Sequence, residues 1–226
     1  FDVIHAHDWL TYLAGIAAKE VSGKPLVVHV HATSFDRGTD DMVDSRVYAI
    51  EKRGMEAADR VVTVSDLTRN IVINKYGIDP SKVITVHNAV DFSSRDKVEV
   101  DRGVKDKVVT FLGRITYQKG PEYFIEAAAK VLKRMDNVRF VMAGSGDMMN
   151  RAIRQVARLG ISDRFHFTGF LRGGEVQKMF ALSDVYIMPS VSEPFGISPL
   201  EAMQSDVPAV ISYQSGAAEV LKYALK

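Results

Sequence analysis

The chain has 226 residues, with 29 basic against 28 acidic side chains and a net charge of +1. That balance gives no electrostatic reason to expect nucleic acid or an anionic membrane as partner, and the lack of any cysteine excludes a disulfide framework and thiolate metal sites. The hydrophobic share of 46% can fill a sizeable core, no apolar run approaches the roughly 20 residues of a membrane span, and no signal peptide is visible. A cytoplasmic protein is expected.

The predicted elements alternate in kind. Val3-Ile4 and its neighbours, Leu26 to Val30, Arg60 to Val64 and Lys82 to Val86 are β-branched runs that read as strands. Helical segments lie between them, among them Asp44 to Ala58 with Val47, Ile50 and Met55 at apolar positions. Near-continuous apolar strands separated by helices imply a parallel sheet covered on both faces. Ser93 to Lys107 is polar and charged without apolar periodicity and reads as the linker into a second series. There Val108 to Leu112 is a strand. Gly120-Pro121 opens a helix with Phe124, Ala128, Val131 and Leu132 on one stripe. Val138 to Ala143, Phe165 to Phe170, Val185 to Met188 and Pro208 to Ser212 supply further strands. The expectation is an α/β chain of two Rossmann-like, doubly wound parallel-sheet domains facing a cleft, residues 1–98 and 99–226. The chain opens inside a strand pattern without an initiator Met, so the first domain is expected to be incomplete.

The segment Glu193-Pro-Phe-Gly-Ile-Ser-Pro-Leu-Glu201 follows the apolar run Val185 to Met188. Glu193 therefore sits in the loop past the carboxyl end of a strand. Pro199 fits the first turn of a following helix, where its missing N–H is no loss, and Glu201 lies in that helix's first or second turn. Open α/β sheets bind ligands outside the carboxyl ends of their strands. A carboxylate only accepts hydrogen bonds, so two of them there suit a ligand rich in hydroxyls.

Gly113-Arg114-Ile-Thr-Tyr-Gln-Lys119-Gly120 lies directly between a strand and a helix. A guanidinium fork, an ammonium point charge and a helix amino terminus together suit a diphosphate. Gly144-Ser145-Gly146 also follows a strand; it reads either as a tight turn or as a place where the backbone closely approaches a ligand. His5-Ala-His7-Asp8-Trp9 and His29-Val-His31 each end a strand, and alternation puts the two histidines of each pair on one face. An H-x-H pair can ligate a metal, but only His87 and His166 remain to complete such a site, so no metal is expected. No D-x-D pair of carboxylates, which could hold a divalent ion, occurs; Arg114 and Lys119 are expected to meet the charge of a diphosphate instead.

These motifs resemble the retaining glycosyltransferases of family 4, which include bacterial glycogen and starch synthases. The filled form E-PFGISPL-E-AM carries the resemblance most specifically, and it extends over nearly the whole chain. It implies a GT-B fold and transfer of a hexose, glucose above all, from a nucleoside diphosphate sugar to a glycan or other hydroxyl acceptor, with retention and without cofactor. It implies that Arg114 and Lys119 hold the diphosphate and that Gly113, Gly144 and Gly146 lie beside the donor nucleotide. Glu201 would bind the ribose, and Glu193 with the backbone of Phe195, Gly196 and Ile197 the hexose. His31 would position a sugar hydroxyl, and His7 and Asp8 would belong to the acceptor side. Ser215 stands where the family has the first glycine of Gly-Gly-x-x-Glu, and Gln204-Ser205-Asp206 replaces the common Ala-Cys-Gly. A nucleotide-sugar epimerase of the same fold and a non-catalytic sugar-nucleotide binding protein are the alternatives.

Overall fold

The computed structural model describes residues 1–36, 43–91, 100–101, 103 and 105–222. Two compact units result, Phe1–Asn88 with Ser192–Gly196 and Gln214–Lys226, and Ala89–Val191 with Ile197–Tyr213. The expected boundary at 98/99 and most of the expected linker lie outside the described residues. Residues 192–196 and those from 214 on, which fall after the expected boundary, pack in the first unit.

The first unit runs β1 (Ile4–His7), α1 (Trp9–Ser22), β2 (Leu26–Val30), α2 (Ser45–Ala57), β3 (Arg60–Thr63), α3 (Asp66–Tyr76) and β4 (Val83–Thr85). Its four strands are parallel in the order β1-β2-β3-β4. Ala6, Leu26, Val28 and Val30 are buried in one core with Tyr12, Ile16 and Met55 of α1 and α2, and Gly15 lets α1 come down onto Ala6 and Leu26. Since side chains alternate along a strand, the odd-numbered residues of β1 and β2 point to the opposite face. Every one of them but Val27 is a histidine.

The starts of α2 and α3 are capped by side chains. Asp44 accepts from the N–H groups of Arg46 and Val47, and Ser65 accepts from that of Thr68. α3 gains a second cap from far along the chain. The Glu219 carboxylate of α8 (Gly216–Leu221) accepts from Asp66 N–H at 2.8 Å and Leu67 N–H at 2.7 Å. That satisfies first-turn donors and places a negative charge at the positive end of the helix dipole. His87 Nε2 lies 2.8 Å from the same carboxylate.

The second unit runs β5 (Lys107–Leu112), α4 (Pro121–Leu132), β6 (Val138–Ala143), α5 (Met149–Arg158), β7 (Phe165–Gly169), α6 (Gly174–Leu182), β8 (Val185–Met188), α7 (Ser198–Gln204) and β9 (Ala209–Ile211). Its five parallel strands take the order β7-β6-β5-β8-β9. Phe111, Phe124 and Phe140 are buried in its core, with Phe165 packed against them. The chain winds outward from β5 to β7 and then returns to β8 on the other side of β5. The strand order therefore reverses between β5 and β8, and a doubly wound sheet opens its ligand crevice at that point. Among the described residues no helix is long and apolar enough to cross a membrane.

Candidate functional site

The loops that leave β5 and β8 meet at the switch point. Val191 N–H donates to the Gln118 carbonyl at 2.8 Å. Arg114 is exposed, with Nη2 3.4 Å from Gln118 Oε1. The Lys119 stem passes 3.9 Å from where a Cβ on Gly113 would stand. Tyr117–Lys119 forms a single 3-10 turn, and Pro121 then starts α4. Gly113, Arg114 and Lys119 are thus gathered in one short loop at the carboxyl end of the central strand. Glu201 lies in the first turn of α7, half-buried, and burial pushes its carboxyl above the usual carboxylate range. Ile197 is exposed just before that helix.

Gly144 and Gly146 are explained by the protein itself. The β5–β6 ladder continues past the strands: Gly113 N–H donates to Ala143 O at 3.0 Å, Ile115 N–H to Ser145 O at 2.9 Å, and Met148 N–H to Ile115 O at 3.0 Å. A Cβ on Gly144 would run into the Gly113 carbonyl, and one on Gly146 into that of Ile115. Gly144 also has φ +138°, a conformation that side chains disfavour. Both glycines let the neighbouring loop approach, a role that needs no ligand.

Glu193, Phe195 and Gly196 belong to the first unit. Glu193 is 6% exposed and forms a one-residue parallel bridge to Ser215, its N–H donating to Gln214 O and its carbonyl accepting from Gly216 N–H. Phe195 is buried, its carbonyl accepting from Ala217 N–H. Ser192 Oγ donates to Asp36 Oδ1 at 2.9 Å, while Asp36 Oδ2 accepts from the Thr33 N–H and hydroxyl. Burial, together with the charge of Glu193, raises the Asp36 carboxyl above its ordinary value despite these hydrogen bonds. Asp36 and Ser192, which sequence reasoning passed over, thus tie the Glu193 segment to the turn after β2. The only trace in the sequence is Thr33-Ser-Phe-Asp36, whose acid can bond back to the threonine.

His7, Asp8 and His31 come together. His7 Nδ1 is 2.9 Å from His31 Nε2. Asp8 takes the unusual φ of +55° and accepts from the backbone N–H of His31 at 2.8 Å and of Ala32 at 3.4 Å. Asp8 therefore acts through His31, fixing the loop that carries it. His5 and His29 join them in one cluster of four imidazoles, with His7 and His29 5.2 Å apart between centroids. Ring centroids are 4.3 Å apart for His5–His7, 4.2 Å for His29–His31, 5.5 Å for His5–His29 and 5.2 Å for His7–His31. Burial first, then the neighbouring imidazoles, lowers the His29 pKa to about 4, and the same causes lower that of His5. His29 therefore stays neutral at pH 7.

The two departures from the family pattern differ in consequence. Ser215 has φ −141°, ordinary extended backbone, so no glycine is required there. Asp206, in place of the common glycine, has φ +60°, which aspartate tolerates better than most side chains.

Residues 93–225 match the family model described as Glycosyl transferases group 1, and residues 1–94 match that of Glycosyltransferase Family 4. The chain belongs to the group 1 glycosyl transferases. This group 1 chain is 35% identical, over 99% of its length, to the uncharacterized glycosyltransferase MJ1607 of Methanocaldococcus jannaschii and covers 60% of that protein. It is 30% identical, over 96% of its length, to D-inositol 3-phosphate glycosyltransferase 2 of Catenulispora acidiphila, covering 56% of it. The crystal structure of Anabaena Alr3699/HepE in complex with UDP and glucose superposes with a TM-score of 0.83 at 22% identity, over 97% of this chain and 61% of that one. The fold is that of the GT-B glycosyltransferases. The group 1 chain spans about 60% of the length of these relatives.

Proposed function

We propose that the chain carries the donor-binding residues of a retaining, glycogen synthase-like glycosyltransferase that moves a hexose, glucose in the first place, from a nucleoside diphosphate sugar to a hydroxyl of a glycan. The gathering of Gly113, Arg114 and Lys119 at the switch point, in a chain of this family, carries the reading. Arg114 and Lys119 would stabilise the leaving diphosphate, whose negative charge grows in the transition state. Half-buried Glu201 would accept hydrogen bonds from the ribose hydroxyls, which replace the water that burial removes. Glu193 and the backbone of Phe195, Gly196 and Ile197 would hold the hexose. His31, oriented by Asp8, would position a sugar hydroxyl, and His7 would lie toward the acceptor. Because two protein cations face the diphosphate in this reading, no divalent metal is required there. The Anabaena structure that shares the fold was solved with UDP and glucose, a ligand pair of the class proposed.

The two glutamates separate by experiment. Glu201→Gln is expected to weaken binding of both free nucleoside diphosphate and the intact sugar nucleotide, roughly tenfold or more, the scale of a hydrogen bond to a charged group. Glu193→Gln should leave free nucleoside diphosphate binding nearly unchanged and lower only the extra affinity for the sugar nucleotide. Calorimetry with both ligands checks this. Equal loss of both ligands in both variants would overturn the assignment of roles.

A further inference from the structure

Parallel, in-register pairing of β1 with β2 sets His7 beside His29 and His5 beside Val27. Each H-x-H pair, insufficient alone, thereby supplies the ligands the other lacks. One ring nitrogen from each of His5, His7 and His29 can be chosen so that all three lie within 4.8 Å of one another. His29 stands out within this group: both of its ring nitrogens are buried and neither has a hydrogen-bond partner. A neutral imidazole always presents one N–H and one lone pair, and buried polar atoms of this kind are nearly always partnered. His7 is prepared differently. With its proton on Nδ1 and donated to His31, its Nε2 keeps a lone pair. That is the arrangement in which a second residue orients a metal-binding imidazole through its other nitrogen.

We propose that His5, His7 and His29 form a binding site for a borderline divalent cation of the Zn²⁺ class, with His31 as the residue that orients His7. Imidazole nitrogen is the preferred donor for such ions, and three histidines leave a fourth position open to water. Tetrahedral coordination at about 2.0–2.1 Å sets nitrogens about 3.3 Å apart. The rings therefore have to tilt out of their stack and close on the ion, which exposed His5 and His7 are free to do. The other candidate group among the described residues, Asp66, His87 and Glu219, is already engaged: its Glu219 caps α3 and pairs with His87. The site shares His7 and His31 with the sugar and acceptor side of the proposed function but uses neither Arg114, Lys119 nor either glutamate, so metal binding and nucleotide binding are tested separately.

The test is titration of the untagged, metal-stripped chain with Co²⁺, followed by its visible absorption. The expected result is saturable uptake of about one equivalent with the intense bands of a four- or five-coordinate ion, displaced by Zn²⁺. The double variant His5→Ala/His29→Ala should bind at least about tenfold more weakly. A second measurement needs no variant. Zn²⁺ should protect His5 and His7 from diethylpyrocarbonate, read by mass spectrometry, while leaving His166 reactive. Absence of saturable uptake, uptake that survives the double variant, or no selective protection of His5 and His7 would each overturn the proposal.

Discussion

Arg114→Ala and Lys119→Ala are each expected to weaken nucleoside diphosphate binding by about 1.5–3 kcal/mol, the range for hydrogen bonds to charged groups, or roughly ten- to a hundredfold in Kd. Both side chains belong to the single loop between β5 and α4, at the point where the strand order reverses. The two losses should differ in kind. The guanidinium offers a planar pair of donors and the ammonium a compact charge, so Arg114→Lys should recover only part of the loss. Folding should be little affected by Arg114→Ala, because that side chain is exposed. Calorimetry on both variants checks the expectation, and unchanged affinity in both would remove the diphosphate site from this loop.

Gly144→Ala should have the largest effect on stability of any single methyl group added near the candidate site. The new Cβ would overlap the Gly113 carbonyl oxygen, and the backbone sits at φ +138°. Overpacking against rigid backbone costs about 1–3 kcal/mol, and a side chain held in a sparsely populated backbone region adds about 1–3 kcal/mol. A total loss of about 2–6 kcal/mol is expected in urea unfolding. Any relief must come from moving residues 113–115, and with them Arg114, so nucleotide affinity should fall in the same variant. A loss below about 1 kcal/mol with affinity intact would show that the two loops are not locked together as described.

Much of this architecture is legible in the residues. Leu26 to Val30 and Val138 to Ala143 form strands over the expected ranges, their near-continuous apolar sequence suiting parallel strands covered on both faces. Pro199 lies in the first turn of α7, the position expected for it. What escaped notice depends on long-range pairing. The strand register that joins two H-x-H pairs into one cluster of imidazoles is set by the sheet and leaves no local mark. Glu219 caps a helix some 150 positions earlier in the chain. The motif from Glu193 to Glu201 looks continuous, yet it divides after Gly196, because Glu193 pairs with Ser215 while Ile197 starts the turn into α7. The reason for Gly144 and Gly146 is likewise a neighbouring loop, visible only once the strands on either side are aligned.

The most direct measurement is an amide chemical-shift titration of the ¹⁵N-labelled chain with UDP, ADP and GDP in turn, in the presence of EDTA. At least one of them is expected to saturate, with the largest shifts at Gly113, Arg114, Lys119, Gly120 and Glu201. No saturable shift with any of the three would contradict this expectation. So would shifts centred on another basic surface, such as the one formed by Arg151, Arg154 and Arg158 of α5.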